Sequence, residues 1–294
     1  MVASFIPESP IVEADWLLTH VAAPDVRVLD ATSFLPGAPK TGRQAYDSAH
    51  IPGSRFFDID DVADTDSALP HMLPSPEKFA SRARKLGLGD GHRIICYDQN
   101  RGMASARAWW MFRVMGHQDV AVLNGGFDAW RAAGGEIEDL PPLYSMDRHF
   151  TVRLRSGLVR DASHMQEFLA DTSTQIVDAR PAARFTGEAD EPRPGLRKGH
   201  IPGSFNLPHD QLLDEKGLFR SPEDIREIFA GAGVDLSAPI VNTCGSGVTA
   251  CVLALAEAIA GYDSSPVYDG SWSEWGAEDS GLPVETGASA GSRG

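Results

Sequence analysis

The chain has 294 residues, of which 42% are hydrophobic, so its length and composition suit about two packed domains. Its 41 acidic and 26 basic residues give a formal net charge of −15, which argues against nucleic acid or an anionic membrane surface as a partner. No stretch approaches the ~18 apolar residues of a membrane span, and the first residues do not resemble a signal peptide. We therefore expect a cytoplasmic protein without a membrane or nucleic-acid partner.

Short β-rich runs alternate with helical patterns along the first half of the chain. The predicted strands are Val26–Asp30, Arg55–Ile59, Arg93–Tyr97 and Val120–Leu123. The predicted helices are Ala14–Val21, Pro76–Leu86 and Ala104–Met115. Strands that alternate with helices favour a mostly parallel sheet with helices on both faces.

The same motifs return in the second half, in the same order and at nearly constant spacing. "HIPGS" occurs at 50–54 and at 200–204, and "SPE" begins a predicted helix at Ser75 and again at Ser221. Matches that keep their order indicate a tandem duplication. The second set of predicted strands is Gln175–Asp178, Ser204–Leu207, Pro239–Thr243 and Pro266–Tyr268.

We predict an α/β fold made of two homologous domains, each a mostly parallel sheet flanked by helices. The predicted boundaries are an N-terminal domain at 1–138, a linker at 139–157, a C-terminal domain at 158–285 and a disordered tail at 286–294. His50 and His200 occur in both copies, so we expect them to shape a turn and to take no part in chemistry.

The loop "CGSGVT" joins a buried-strand pattern to a strongly apolar helix. In a parallel α/β unit, ligands bind at the loop after the carboxyl end of a strand. We expect the N–H groups from Cys244 to Thr249 to point inward and, with the positive end of the helix, to favour a thiolate at Cys244. The equivalent residue in the first copy is Asp98, which predicts one active and one supporting domain.

The other two cysteines have a simpler interpretation. Cys96 falls inside a predicted strand and Cys251 inside a predicted helix, so both are expected in the core. The three cysteines lack metal-site spacing and a paired framework, which favours a reducing compartment and no metal site.

The cysteine loop, the repeated "HIPGS", "WWMFR" at 109–113 and "YDGSWSEW" at 268–275 resemble the two-domain rhodanese-like sulfurtransferases over nearly the whole chain. The loop is most similar to that of the 3-mercaptopyruvate sulfurtransferases, because thiosulfate-using relatives carry an Arg-Lys pair where this chain has Gly245 and Ser246. The resemblance implies a cofactor-free reaction in which Cys244 takes sulfur from 3-mercaptopyruvate as a persulfide, and pyruvate leaves. The acceptor would be a thiol, such as thioredoxin, or cyanide.

The resemblance also implies roles for individual side chains. Arg184 and Arg193 match arginines that grip the substrate, and planar guanidinium groups suit the carboxylate of a 2-oxo acid. Asp60, His71 and Ser246 match a proton relay, in which the first two residues come from the N-terminal domain. The remaining expected substrate contacts come from the loop: Gly245, Gly247, Val248 and Thr249.

Three alternatives stay open at this point. A rhodanese-like fold can serve as a binding module without turnover, and thiosulfate can replace 3-mercaptopyruvate as the sulfur donor. A phosphatase of related fold needs an arginine six residues after its cysteine, where this chain has Ala250. The phosphatase is therefore disfavoured.

Overall fold

The computed structural model describes residues 9–35, 37–140, 148–171, 173–263 and 266–288. The chain divides into two compact units. Unit 1 comprises Met1–Thr65, Leu73–Arg155 and Glu215–Leu218, and unit 2 comprises Asp66–Met72, Ser156–Asp214 and Phe219–Gly294. Much of the predicted linker, at 141–147, and of the predicted tail, at 289–294, lies outside the described residues. The domain boundaries stay a prediction.

Unit 1 contains a parallel sheet, which within the described residues has the strand order β1-β5-β4-β2-β3. Its strands are β1 (Ile11–Val12), β2 (Val26–Asp30), β3 (Arg55–Phe56), β4 (Arg93–Tyr97) and β5 (Val120–Leu123). Its helices are α1 (Ala14–His20), α2 (Gly42–Ser48), α3 (Ile59–Val62), α4 (Pro76–Lys85), α5 (Met103–Val114) and α6 (Gly126–Ala132).

Unit 2 repeats this topology, with the order β6-β10-β9-β7-β8 among its described strands. Its strands are β6 (Val159–Arg160), β7 (Gln175–Asp178), β8 (Phe205–Asn206), β9 (Ile240–Thr243) and β10 (Val267–Tyr268). Its helices are α7 (Ala162–Ala170), α8 (Ala182–Phe185), α9 (Pro222–Gly231), α10 (Ala250–Ile259) and α11 (Ser271–Trp275). The predicted fold class, two α/β domains with parallel sheets, is confirmed.

The helix that begins with "SPE" in each unit starts as its sequence predicts. Ser75 accepts a hydrogen bond from the Lys78 N–H (3.2 Å), and Ser221 accepts one from the Asp224 N–H (3.1 Å). A proline follows each serine, where its missing N–H group costs nothing. These caps fix where α4 and α9 begin.

Strand β3 is shorter than the predicted strand Arg55–Ile59. The Asp58 side chain accepts hydrogen bonds from the N–H groups of Asp60 and Asp61, so Ile59 begins a helix. The apolar pattern of this stretch suits either a strand or a helix, and the cap decides between them.

Several stretches group differently from the predicted domains. Residues 215–218, which the prediction assigns to the C-terminal domain, belong to unit 1. Residues 66–72, which the prediction assigns to the first domain, belong to unit 2. Residues 148–155, which the prediction assigns to the linker, belong to unit 1, where the buried Phe150 ring packs on Phe79 and Phe112. Contacts between residues far apart in sequence decide these groupings.

The repeated histidines lie in the same setting in both units. His50 is buried and stacks on Tyr46, with its Nδ1 2.8 Å from the Tyr46 carbonyl oxygen. His200 is buried and stacks on Phe185, with its Nδ1 2.9 Å from the Phe185 carbonyl oxygen. This shared environment agrees with a role in shaping the turn.

Candidate active site

The cysteine loop of unit 2 leaves the carboxyl end of β9 and enters α10, the strand–loop–helix geometry that the sequence predicts. Cys244 follows directly after the strand and is 2% exposed. Gly247 has φ +73, a left-handed conformation that favours glycine. Helix α10 is buried over nearly all its length, so the loop rests on a rigid element.

Ser271, at the start of α11, hydrogen-bonds to the backbone of the cysteine loop. Its hydroxyl oxygen accepts hydrogen bonds from the N–H groups of Cys244 (3.2 Å) and Gly247 (3.1 Å) and donates to the Tyr268 carbonyl oxygen (2.7 Å). The expectation that all six loop N–H groups point inward is therefore wrong for these two. Ser271 has φ +49, an uncommon conformation for a residue with a side chain.

The carbonyl groups of the loop also point toward α11. The Cys244 carbonyl oxygen accepts from the Trp272 N–H (2.9 Å), and the Gly245 carbonyl oxygen accepts from the N–H (2.9 Å) and hydroxyl (2.7 Å) of Ser273. Within the described part of the chain, four loop N–H groups have no acceptor: Gly245, Ser246, Val248 and Thr249. They lie next to the amino end of α10, an arrangement that can bind an anion.

The guanidinium group of Arg184 lies over the loop. A Cβ atom at residue 245 would stand 3.1 Å from Arg184 Nη2, so glycine at this position leaves the space that the arginine uses. Arg184 Nε donates to Glu191 Oε1 (3.2 Å), and its Nη2 donates to Glu191 Oε2. The Glu191 side chain is 1% exposed, whereas that of Arg184 is 21% exposed. Glu191 therefore fixes an arginine that solvent and ligands can reach.

Glu191 also joins Arg184 to a second, buried arginine. Arg180 Nη1 donates to Glu191 Oε1 (2.8 Å), and Arg180 Nη2 donates to Asp178 Oδ2 (2.6 Å). The Arg180 guanidinium carbon lies 4.4 Å from the ring centre of Trp272. Burial lowers the pKa of Arg180, but Asp178 and Glu191 raise it above its ordinary value. Sequence analysis missed Glu191; its position two residues before Arg193 in "EPR" was the available signal.

His71 and Arg193 meet in unit 2. Arg193 Nη2 lies 3.1 Å from His71 Nε2. Since a guanidinium group can only donate, His71 Nε2 is the acceptor in this contact. His71 also has φ +60, and backbone strain of this kind is common at functional sites. The structure thus brings together two of the predicted site residues.

The other predicted members of the relay are placed as follows. Ser246 lies in the loop and is 7% exposed, and its hydroxyl has no hydrogen-bond partner among the described residues. Asp60 is an exposed residue in the first turn of α3, in unit 1. The roles of both residues in proton transfer stay predictions.

The remaining cysteines lie in the core. Cys96 is fully buried, and burial raises its pKa far above the ordinary value. Cys251 is fully buried in α10, where its Sγ lies 3.1 Å from the Gly247 carbonyl oxygen.

Among the described residues, no group of three or more His, Cys, Asp or Glu could hold a metal ion, and no helix is long and apolar enough to span a membrane.

Comparison with known proteins places this site in a family. The rhodanese-like domain family matches residues 13–133 and 161–278. The 3-mercaptopyruvate sulfurtransferase of Escherichia coli K12 is 42% identical over 279 residues, covering 93% of this chain and 97% of that protein. The 3-mercaptopyruvate sulfurtransferase of Homo sapiens is 40% identical over 276 residues, covering 90% of this chain and 91% of that protein.

A protein named for another donor is equally similar. The thiosulfate sulfurtransferase of Cricetulus griseus is 40% identical over 291 residues, covering 97% of this chain and 96% of that protein. Among solved structures, the 3-mercaptopyruvate sulfotransferase SseA from Escherichia coli matches with a TM-score of 0.82 and 38% identity, covering 90% of this chain and all of that chain. Overall identity therefore does not separate the two donors.

Proposed function

Because the chain belongs to the rhodanese-like domain family and is a sulfurtransferase, we propose that it takes sulfur from 3-mercaptopyruvate onto Cys244 and passes it to a thiol or to cyanide. The observation that carries the proposal is the loop itself. It combines a cysteine at the end of β9, four N–H groups without acceptors among the described residues, and Arg184 held over Gly245.

The first half of the reaction loads the cysteine. The thiolate of Cys244 attacks the sulfur of 3-mercaptopyruvate, so that a sulfur–sulfur bond forms and the bond between sulfur and C3 breaks. The electron pair of the broken bond passes into the enolate of pyruvate. The proton of the transferred thiol moves to C3, which leaves pyruvate and a persulfide anion on Cys244.

The second half returns the enzyme to its starting state. The thiolate of an acceptor, such as thioredoxin, or cyanide attacks the terminal sulfur of the persulfide. The sulfur–sulfur bond to Cys244 breaks, and its electron pair restores the Cys244 thiolate. No redox cofactor is needed, since sulfur passes from one nucleophile to another.

The charges around the loop favour a donor with a single carboxylate. The charges of Arg180 and Arg184 are balanced by the carboxylates of Asp178 and Glu191. Residues 245 and 246 carry no charge. A neutral loop that offers N–H donors suits the monoanion 3-mercaptopyruvate better than the dianion thiosulfate.

The substrate's keto and carboxylate oxygens require donors that face the loop. We assign the carboxylate to Arg184 and Arg193, because planar guanidinium groups bind carboxylates through paired hydrogen bonds. Ser246 is assigned to the keto oxygen, where a hydroxyl donor stabilises the developing enolate. We assign proton transfer to His71 and Asp60, the remaining residues of the predicted relay.

Thiosulfate is the second candidate donor. The support for it is the similarity to the thiosulfate sulfurtransferase of Cricetulus griseus. A dianion would lack a cation at residues 245 and 246, so we expect it to be the poorer donor.

The test is the steady-state kcat/KM for 3-mercaptopyruvate and for thiosulfate with one acceptor. We expect 3-mercaptopyruvate to be preferred by at least about tenfold. Cys244→Ser should lower the value for either donor by about 10³-fold or more, because a hydroxyl is a poor sulfur nucleophile. Mass spectrometry of the donor-treated protein should find one added sulfur at Cys244.

The matched control is Cys96→Ala, which removes a buried thiol of unit 1 and should keep full activity. A preference for thiosulfate would reject the donor assignment but keep the persulfide. Absence of turnover and of added sulfur with both donors would reject the proposal in favour of a binding module.

A further inference from the structure

In unit 1, residues 148–155 lie across the ends of α4 and α5, and we call this segment the strap. The N–H group of Asp90, in the loop that follows α4, donates to the His149 carbonyl oxygen (3.1 Å). The Arg153 N–H group donates to the carbonyl oxygen of Met115, the residue after α5 (2.9 Å). The backbone of the strap is therefore hydrogen-bonded at the ends of both helices.

One aromatic side chain anchors the strap. Phe150 is 2% exposed, and its ring stacks on His117 with the ring centres 5.5 Å apart. The next residue, Thr151, donates to both carboxylate oxygens of Asp90, through its N–H group (2.6 Å) and its hydroxyl (2.7 Å). The sequence of the strap, RHFTVRLR, is basic. A groove of unit 1 is thus filled by a basic segment with one aromatic anchor.

Unit 2 contains the equivalent groove, at the ends of α9 and α10. Each of the four helices is followed by a left-handed glycine, which aligns the two grooves. These glycines are Gly87, Gly116, Gly233 and Gly261. Counted from them, Tyr262 is the equivalent of His117, and Leu236 is the equivalent of Asp90.

No described residue lies over the groove of unit 2 as the strap does in unit 1. A Cβ atom at Gly116 would collide with the Arg153 carbonyl oxygen, whereas a Cβ atom at Gly261 would meet no described residue within 4 Å beyond its neighbours. The Leu236 N–H group has no acceptor among the described residues. A cavity of about 430 Å³ is present, and Tyr262 in its wall is 36% exposed.

The open groove has an acidic rim. Glu223, Arg226 and Glu227 lie on one face of α9, and Arg226 lines the cavity together with Asp235. The three acidic side chains are exposed. Three carboxylates and one guanidinium group give this rim a net charge of −2. A basic segment complements that charge.

Asp235 stands close to the place that the first strap residue takes in unit 1. Its equivalent is Gly89, where a Cβ atom would lie 2.9 Å from Arg148 Cβ. A segment in the groove of unit 2 must therefore lie slightly further out than the strap does. An arginine at its first position would then face the Asp235 carboxylate, whose Oδ2 has no hydrogen-bond partner among the described residues.

Arg226 closes the far end of the groove. Its Nη2 and Nε donate to the Ala260 carbonyl oxygen (2.9 and 3.2 Å). Ala260 is the equivalent of Met115, whose carbonyl oxygen binds the Arg153 N–H group in unit 1. The open part of the groove therefore corresponds to the strap before Arg153.

We propose that the open groove of unit 2 binds a short basic segment of a partner protein, through one aromatic side chain that stacks on Tyr262. The Leu236 N–H group donates to the backbone of this segment, as the Asp90 N–H group does to the strap. The strap of unit 1 shows how a segment of this chemistry binds the same groove. This inference does not depend on the proposed sulfur transfer.

The first test adds a synthetic peptide with the strap sequence, RHFTVRLR, to the full chain and measures its Kd by isothermal titration calorimetry. We expect a Kd on the order of 0.1 mM. Replacing the peptide's phenylalanine by alanine should raise the Kd by about tenfold or more, and Tyr262→Ala should do the same. The matched control is Leu35→Ala, which removes an exposed apolar side chain of unit 1 and should leave the Kd unchanged. Absence of binding, or equal binding by Tyr262→Ala, would overturn the inference.

The second test asks whether the peptide lies in the groove as the strap does. Leu236→Asp supplies the carboxylate that Asp90 offers to Thr151 in unit 1, so we expect it to lower the Kd by about fivefold. Leu236→Asn is the uncharged control of the same shape and should bind more weakly than Leu236→Asp. Equal affinity of the two variants would contradict the proposed binding mode.

A second copy of this chain is the other possible occupant. Sedimentation velocity of the wild type and of Tyr262→Ala distinguishes it, and we expect the same sedimentation coefficient for both. A dimer that Tyr262→Ala dissociates would assign the groove to an interface between copies and overturn the inference. None of these measurements needs a sulfur donor, so their outcome is separate from that of the donor assay.

Discussion

Ser271 has a left-handed backbone, φ +49, which costs a residue with a side chain about 1–3 kcal/mol. The equivalent position in unit 1 is Gly126, with φ +56, where glycine carries no such cost. The serine is found in the unit that carries the cysteine, and its hydroxyl binds the N–H groups of Cys244 and Gly247. We interpret the strain as the cost of holding the loop in position.

Two substitutions separate the strain at Ser271 from its hydrogen bonds. Ser271→Ala loses the hydroxyl and keeps the strain, whereas Ser271→Gly loses both. We expect the glycine variant to be the more stable of the two by about 1 kcal/mol in urea unfolding. Both should lose about tenfold or more in kcat/KM, because the loop loses its support. Activity that rises and falls with stability across the pair would contradict a positioning role.

Glu191 is the residue that aims Arg184 at the loop. Glu191→Gln keeps the size of the side chain but loses its charge, so the ion pair with Arg184 weakens. If Arg184 binds the donor without reacting, as proposed, the KM of the donor should rise by about tenfold, with a smaller change in kcat. The matched control is Glu188→Gln, an exposed neighbour that should leave both constants unchanged.

At the scale of elements, the strand and helix that flank the loop are joined by a buried polar pair. Asn242 of β9 donates from Nδ2 to Glu257 Oε1 of α10 (3.0 Å), and both residues are fully buried. Burial raises the pKa of Glu257 to about 8, which the hydrogen bond from Asn242 only partly offsets. Glu257 Oε2 and Asn242 Oδ1 have no hydrogen-bond partner among the described residues. A protonated Glu257 is neutral, which removes the cost of a buried charge.

This pair makes stability depend on pH in a defined window. Glu257 has an ordinary pKa of 4.5 and a folded pKa of about 8, so between these values the folded state keeps a proton that the unfolded state has lost. Its stabilising contribution is complete below about pH 4.5, falls as pH rises, and is exhausted above about pH 8. Relative to Glu257→Gln, the wild type should lose about 1 kcal/mol of unfolding free energy per pH unit across this window.

Urea unfolding of both proteins from pH 5 to pH 8 measures this difference. Glutamine can donate from Nε2 to Asn242 and accept at Oε1, so the variant keeps the pair at every pH. Parallel pH curves for the two proteins would mean that Glu257 does not hold its proton in the folded state.

At the scale of the whole molecule, one duplicated fold carries two different loops. The sheets share their strand order, yet unit 1 has Asp98 where unit 2 has Cys244. Tyr46 and Phe185 occupy equivalent positions beside the repeated histidines, so Ala45 is the equivalent of Arg184. Unit 1 thus differs from unit 2 at the position of Arg184 as well as at the position of Cys244.

Restoring a cysteine to unit 1 should therefore not restore catalysis. In a Cys244→Ser background, we expect Asp98→Cys to show no 3-mercaptopyruvate-dependent turnover above that of Cys244→Ser alone, since no arginine stands at residue 45 to bind the carboxylate. Steady-state kinetics with mass spectrometry of residue 98 checks this. Donor-dependent persulfide at residue 98 would show that the arginine is dispensable.

Much of this molecule follows from local sequence signals. The repeat predicts two units of one topology, and the caps at Ser75 and Ser221 predict where α4 and α9 begin. The buried-strand pattern before Cys244 and the apolar run after it place the cysteine on a strand–loop–helix turn. The caps and the turn depend on neighbours within a few residues, so periodicity and capping chemistry suffice to predict them, whereas the repeat is read from matching motifs in the two halves.

Tertiary structure decided the contacts that give the site its geometry. Arg193 contacts His71, which is 122 residues away in the sequence. The N–H groups of Cys244 and Gly247 donate to the Ser271 hydroxyl, which lies 27 and 24 residues further along the chain. The sequence alone determined the repeat and the parallel sheets, and it predicts the nucleophile. Which loop N–H groups lack an acceptor among the described residues, and which carboxylate holds Arg184, depended on packing between distant segments, because hydrogen-bond partners at such separations leave no periodic trace in the chain.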